Sequence, residues 1–343
     1  VKILATIERA IWRRSGLSFV AAILAAATLC AGSGQESLQP TAPDEVFYKA
    51  YRAADPITRW PSDRLHHEFP ELSGLKPAAD PAALPVILKS ASESAETFMQ
   101  GFANTSSVET IDENRLDSAA HGSVALLPGF RETVEQTRGG APGEVHVRER
   151  FRYLLIRSGE SGIEEYRTDL DGNPAYDHMP TDTIRTAGFA SLPLCFSLEQ
   201  QPLTDFRYLG VQDLRRHSVV VIAFAQHPVP AAVIGRLTLF GPSVPILLQG
   251  IAWLDPAGAI IQIRTELLAP QPLVNLNRVA TCVVYAKTEL PPSSAPLWLP
   301  KEAEVHIKAF GHDYVNRHHY ADYQAFVVKH KVLAVPSSAG LPQ

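Results

Sequence analysis

Gly250-Ile251-Ala252-Trp253-Leu254-Asp255-Pro256-Ala257-Gly258-Ala259-Ile260-Ile261-Gln262-Ile263 holds two apolar runs of strand length on either side of a turn. The turn Asp255-Pro256-Ala257-Gly258 has the right chemistry: Asp bonds nearby N–H groups, Pro fixes φ, and Gly accepts a positive φ. Residues 249–255 and 260–266 therefore read as a β-hairpin. Working outward, Asp205–Val211 and Ser218–Ala225 form a second hairpin across Gln212–His217. Arg278–Lys287 is a long strand, and Leu297–His306 and Ala325–Val332 close the series.

Upstream, Val108–Ile111 and the alternating run Arg150–Ile156 read as strands. Ser158-Gly159 turns the chain into Glu164–Asp169, and Asp171-Gly172-Asn173 turns it again. Sequential hairpins imply an antiparallel meander. The clearest helix spans about 81–102, capped by Asp80. Leu84, Leu88, Ala91, Ala95, Phe98, Met99 and Phe102 recur on one face, and Lys89, Glu93 and Glu96 lie on the other. Its acidic polar face argues against a membrane-surface role. Residues 174–202 lose the pattern, with a short helix or an apolar loop at Phe189–Leu198.

The N-terminus sets the compartment. Trp12-Arg13-Arg14 precedes Leu17–Ala31, which is free of charge, and Ala31-Gly32-Ser33 offers small residues for cleavage. Residues 1–33 read as a signal peptide cleaved near Ser33, which makes the chain exported, periplasmic or extracellular. A lipoprotein with Cys30 as the modified residue and an uncleaved anchor are the alternatives. Nothing after residue 33 reads as a transmembrane segment. The whole chain has 31 Lys+Arg and 36 Asp+Glu; without Lys2, Arg9, Arg13, Arg14 and Glu8 it has 27 against 35. An acidic chain without a basic patch is a poor nucleic-acid binder. Residues 34–80, broken by Pro40, Pro43, Pro56, Pro61, Pro70 and Pro77, read as a weakly structured lead with one short helix at Asp44–Ala53. One domain then occupies 81–335, with a C-terminal tail at 336–343. Outside the signal, Cys195 and Cys282 either form a disulfide or are small buried residues.

The order of one helix followed by strand pairs resembles the LolA-like and RseB-like periplasmic lipoprotein-carrier superfamily. The resemblance rests on the Gly250–Ile263 hairpin and on Val284-Tyr285 followed by Leu297-Trp298-Leu299-Pro300, and it covers roughly residues 95–330. It implies an α+β fold, mainly antiparallel β: a curved sheet or half-open β-barrel with one or two covering helices. In this superfamily the Asp255 turn shapes a hairpin and catalyses nothing. The lead and residues 174–202 depart from the pattern. A stretch like His318-His319-Tyr320-Ala321-Asp322-Tyr323 introduces the last strand in related proteins, which assigns Tyr320 and Tyr323 to aromatic packing.

No cofactor is indicated, and no catalytic motif stands out. The densest polar group, Gly311–Tyr323, contains His312, Asp313, His318, His319 and Asp322 but no HExxH spacing, and it reads as a surface turn without metal. His66-His67-Glu68 reads as a solvated turn. Ser158–Gly162 lacks the nucleophile-elbow spacing. Glu164 and Glu165 alternate to opposite faces, so they do not form a glycosidase pair. Gly139–Gly143 lacks the Lys-Ser/Thr of a phosphate loop.

One positive expectation remains. Val219, Val221 and Ala223 face one way and Val220, Ile222 and Phe224 the other, so this strand is apolar on both faces and must be covered on both. The 81–102 helix is too narrow to do this alone. Either a hydrophobic ligand occupies an apolar pocket touched by Leu88, Phe98, Phe102, Val221 and Ile261, or the lead and residues 174–202 fill the space as a closed core. The first alternative makes the chain a non-enzymatic binding protein for lipid, lipidated protein or another hydrophobic ligand. The second makes it an envelope sensor or protein-interaction module. A metal-dependent enzyme using His312–Asp322 ranks third.

Overall fold

The computed structural model describes residues 4–7, 42–102, 104–117, 144–158, 162–173, 184, 186–238, 243–291, 296–326 and 328–331. Three α-helices appear among them: α1 (Ala42–Arg52), α2 (Ser62–Glu68) and α3 (Leu84–Gly101). The strands are β1 (Leu4–Ile7), β2 (Lys76–Pro77), β3 (Thr105–Asp117), β4 (Glu144–Ser158), β5 (Gly162–Thr168), β6 (Thr204–Leu214), β7 (His217–Gln226) and β8 (Gly235–Thr238). They continue with β9 (Ser243–Ile246), β10 (Leu248–Leu254), β11 (Ile260–Leu267), β12 (Leu276–Thr288), β13 (Leu297–Ala309), β14 (His312–Ala325) and β15 (Val328–Lys331).

The body of the molecule is one open, curved antiparallel sheet of 11 strands in the order β2-β6-β7-β10-β11-β12-β13-β14-β3-β4-β5. β6, β7 and β10–β14 form the meander implied by the hairpins. β3–β5 are appended beyond β14, so β5 and β6 stand at opposite ends of the sheet, β5 at one edge and β6 next to the edge strand β2. β1 pairs with β15, and β8 with β9, as separate ladders.

The hairpin that opened the reading forms as expected. Gln249 faces Glu266, and Asp255 Oδ1 accepts the Ala257 and Ala259 N–H groups at 2.9 and 2.8 Å. Gly258 has φ +87°, and a Cβ there would lie 2.4 Å from the Ser90 carbonyl carbon. The turn therefore needs glycine both for its backbone and for the close approach of α3.

Both faces of the sheet are covered. On one face, called inner below, Ile222, Phe224, Leu254, Ile263, Val283, Tyr285, Leu299 and Val305 form the larger core with Phe102, Phe189 and Phe196. On the other, Val219, Val221, Ala223, Ile251 and Trp253 pack under Ile57, Leu65, Phe69 and Leu72. From residue 42 on, the proline-rich lead is thus not weakly structured. Its prolines start short helical turns at 57–59, 62–68 and 70–72, which insert one apolar residue after another into the outer core. Polar bonds fix it there: the Ile57 N–H donates to Gln249 Oε1 at 2.9 Å, and Gln212 Nε2 donates to the Glu71 and Ser73 carbonyls at 2.7 and 2.8 Å. His66 and His67 lie exposed on α2, a helix and not a turn.

The largest departure from expectation is β14. The polar stretch read as a surface turn is a 14-residue strand in the middle of the sheet. Tyr314, Asn316, His318 and Tyr320 are buried, while Arg317 and His319 are exposed. Period-two alternation was present in the sequence, but its buried half is polar and aromatic, so the hydrophobic signal of a strand was missing.

Candidate functional site

The inner face changes character along the sheet. Over β7 and β10–β13 it is apolar. Over β14, β3 and β5 it carries a buried polar cluster. Glu109 on β3 is fully buried and meets Arg167 on β5, whose guanidinium donates to Glu109 Oε1 at 2.8 Å. His318 Nδ1 and Tyr320 OH reach the same oxygen at 2.9 and 2.8 Å. Tyr153 lies beside the cluster, its ring 5.0 Å from that of Tyr320.

Across this face runs a segment that is not part of the sheet: Ile184 and Thr186–Leu203, called the strap below. Its first part is held through its main chain by side chains. Asn316 Nδ2 donates to the Ile184 carbonyl at 2.7 Å, Arg167 to the Thr186 carbonyl at 2.8 Å, and Tyr285 OH to the Phe189 carbonyl at 2.7 Å. In the opposite sense, the Ile184 N–H donates to Glu113 at 3.4 Å, and the Gly188 and Ala190 N–H groups donate to Glu165 at 2.6 and 3.2 Å. Its second part, a 3₁₀ turn at Leu192–Phe196, drops apolar side chains into the core. Phe196 is fully buried, with its ring 5.1 Å from Phe206 and 5.5 Å from Phe224. Gln201 Nε2 then ties the strap to α3 by donating to the Leu88 carbonyl at 2.8 Å.

The electrostatics follow from burial and pairing. Burial alone would raise the Glu109 carboxyl, but the Arg167 guanidinium and the bonds from Arg167 and His318 outweigh it and hold the pKa at about 2. Burial lowers His318 despite the neighbouring Glu109. His318 is therefore neutral, with its proton on Nδ1 toward Glu109, and Nε2 accepts the Thr186 hydroxyl at 2.9 Å. The negative charge of Glu109 is balanced by Arg167. Burial raises Glu165 above the ordinary carboxylate value against the bonds it receives.

Glu109, His318 and Thr186 follow the carboxylate–imidazole–hydroxyl order of a nucleophilic triad. Reactivity would require an exposed hydroxyl beside a space for substrate. Thr186 is only 8% exposed and its main chain is clamped, so the arrangement grips the strap. His312 and His319 do not join His318, and among the described residues no three His, Cys, Asp or Glu side chains form a group that could hold a metal ion.

The residues expected around a pocket fall into two places. Leu88 and Phe98 on α3 and Phe102 just past its end do lie against the inner core, with the Phe98 and Phe102 rings 5.4 Å apart. Val221 and Ile261 point through to the outer core, under the lead. The structure brings three of the five together, and the strap lies where they face the sheet. Of the two alternatives left open for Cys195 and Cys282, a bridge or unbridged residues, the structure has both as free thiols. Cys195 belongs to the inner core, whereas Cys282 stands between Arg264 and Glu304 on the opposite face of β12, so the sheet separates them. Sequence reading missed Glu109, Glu165 and Arg167. Their one signal was charged residues at positions whose alternation points inward.

A groove of about 360 Å³ opens at the sheet edge, where β6 passes between α2 and the start of α3. Leu65, Leu72, Leu84, Phe206, Arg207 and Leu209 line it.

No protein-family model and no curated protein matches the chain. Solved structures similar to it include the following two. One, described as a candidate outer membrane lipoprotein-sorting protein domain from Vibrio parahaemolyticus, is 9% identical with a TM-score of 0.35, over 70% of this chain and 91% of that one. The other is a DUF1329 family protein from Desulfovibrio piger, 9% identical with a TM-score of 0.32, over 69% of this chain and 92% of that one. At these scores neither likeness bears on ligand or activity.

Proposed function

We propose that this chain is an exported, non-enzymatic binding protein that takes a hydrophobic ligand, a lipid or lipidated protein among the candidates, on the inner face where the strap now lies. The observation that supports this is how the strap is held. Among the described residues no main-chain hydrogen bond joins Thr186–Phe196 to a strand, although the strap covers the most apolar part of the sheet. A cover fastened by side chains opens at lower cost than a paired strand. Leu88 and Phe98 of α3, with Phe102 just past its end, would flank the opened site. The charge-free run at Leu17–Ala31 supports export.

The test is titration of the purified protein with a fluorescent fatty-acid probe, alongside Tyr285→Phe. That variant removes one bond to the strap at nearly constant volume, a loss of about 1 kcal/mol. Saturable binding is expected in both proteins, about fivefold tighter in the variant. Absence of saturable binding in both would refute the reading.

A second reading, an envelope interaction module, is favoured by the edge of β6. β2 pairs only with Val211 and Gly210, the Ala78 N–H adds one bond to the Leu209 carbonyl at 2.9 Å, and the Phe206–Leu209 stretch lines the groove. An incompletely covered edge is a template for an added strand.

A further inference from the structure

We infer that the ligand class of the inner face is a peptide segment and that the strap occupies the site as that peptide in cis. The inference rests on the reading that the strap can leave the face. A hydrocarbon chain asks nothing of its site beyond apolar surface, but this face offers more. It presents donors to the carbonyls of Ile184, Thr186 and Phe189, and carboxylate acceptors to the N–H groups of Ile184, Gly188 and Ala190. Donors and acceptors mixed along one line match a main chain and nothing simpler. The donors are deeply buried: Asn316 is 1% exposed and Arg167 and Tyr285 4% each.

An acyl chain lying where the first part of the strap lies would leave these groups desolvated and unpaired, so that half of the face rejects it and only the apolar half accepts hydrocarbon. A peptide restores every bond. One acceptor is still open: Asn316 Oδ1 is buried and has no partner among the described residues. Side-chain selectivity comes from Phe189, whose buried ring stands edge-on to His318 at 4.9 Å. Around it the strap carries Thr186, Ala187, Gly188 and Ala190, small enough to let the main chain lie close. The partner is thus an unfolded segment of another protein that carries an aromatic residue between small ones, as Phe189 stands between Gly188 and Ala190.

The experiment uses the full chain and a labelled synthetic peptide of the 184–197 sequence with Cys195→Ser, followed by competition with the fatty-acid probe. Saturable binding is expected, weakened about tenfold by Phe189→Ala in the peptide, a change that leaves the protein untouched. Bound peptide should raise hydrogen exchange at Gly188 and Ala190 of the protein while the strands stay protected. Glu165→Gln in the protein weakens the strap and the peptide alike, so the peptide should stay within about twofold while the fatty-acid probe binds about fivefold tighter. If the probe binds and the peptide neither binds nor competes, the peptide assignment falls and the hydrophobic-ligand reading stands. If neither binds, both fall. A peptide that binds equally well with Phe189→Ala, or that leaves Gly188 and Ala190 of the protein protected, binds elsewhere and also overturns the assignment.

Discussion

Replacing Arg167 with Met removes the cation that balances Glu109 while keeping most of the side-chain volume. Glu109 is 0% exposed, and its carboxyl is held at about 2 against an ordinary 4.5. By linkage that difference corresponds to about 3 kcal/mol of stability. Because the folded pKa is depressed, this contribution is complete above the ordinary value and is lost as pH falls toward the folded one. Without Arg167 the remaining partners are neutral His318 and Tyr320, and burial dominates. The Glu109 carboxyl then rises above its ordinary value, and the sign inverts: its contribution becomes a penalty that grows as pH rises. The expected loss at neutral pH is about 3–5 kcal/mol, typical of a buried pair that loses one member. Denaturant titrations from pH 4 to 8 followed by tryptophan fluorescence measure it. Glu109→Gln in the same background should restore part of the loss, because it removes the stranded charge. A variant that loses less than about 1 kcal/mol and keeps the wild-type pH profile would refute the account of Glu109 as an anion held by Arg167.

Three further outcomes are expected. Peptide mapping without reductant should find Cys195 and Cys282 as thiols, and Cys195, with its pKa pushed to about 12 by burial, should resist alkylation until the protein unfolds. Leu72→Ala, in the lead, should cost about 2–5 kcal/mol in denaturant titrations, since Leu72 is fully buried in the outer core; a surface leader would lose almost nothing. Gly258→Ala should destabilise by more than the usual surface substitution, through both its positive φ and the collision with Ser90, and a neutral melting temperature would count against the docking of α3 on this hairpin.

The parts of the fold legible in the sequence were those where burial and hydrophobicity coincide. The 249–266 hairpin, the 204–226 hairpin and the amphipathic helix are of this kind, and each forms within a few residues of its expected bounds. The lead was misread because prolines mark breaks without revealing that Ile57, Leu65, Phe69 and Leu72, at irregular spacing, all reach one surface. β14 was misread because histidines, tyrosines and an asparagine take the buried positions. The candidate site was hidden for the same reason. A buried arginine or glutamate resembles a solvated one in sequence, and only pairing across strands from distant parts of the chain, Glu109 with Arg167 and His318, reveals it. The even alternation of Val219–Phe224 showed that both faces were covered, and it left open that two different segments would cover them.

The strap is divided along its length in the same way as the face beneath it. Its polar-anchored part crosses β14, β3 and β5, and its apolar part lies over β7 and its neighbours. The two parts respond differently to pH. Apolar burial is insensitive to protonation, whereas the bonds from Gly188 and Ala190 end on one carboxylate. The Glu165 carboxyl is raised by burial above the ordinary 4.5, so it takes up a proton while most carboxylates remain ionised. Bonds to an ionised acceptor are roughly twice as strong as bonds to a neutral one. As pH falls through that raised value, protection of the Gly188 and Ala190 amides should therefore decline relative to amides in the β10–β11 ladder, after correction for intrinsic exchange. Glu165→Gln should start at the reduced protection and show no further decline. Equal protection of strap and ladder amides across this range in the wild-type chain would mean that the strap opens only with the sheet, as an inseparable part of its core.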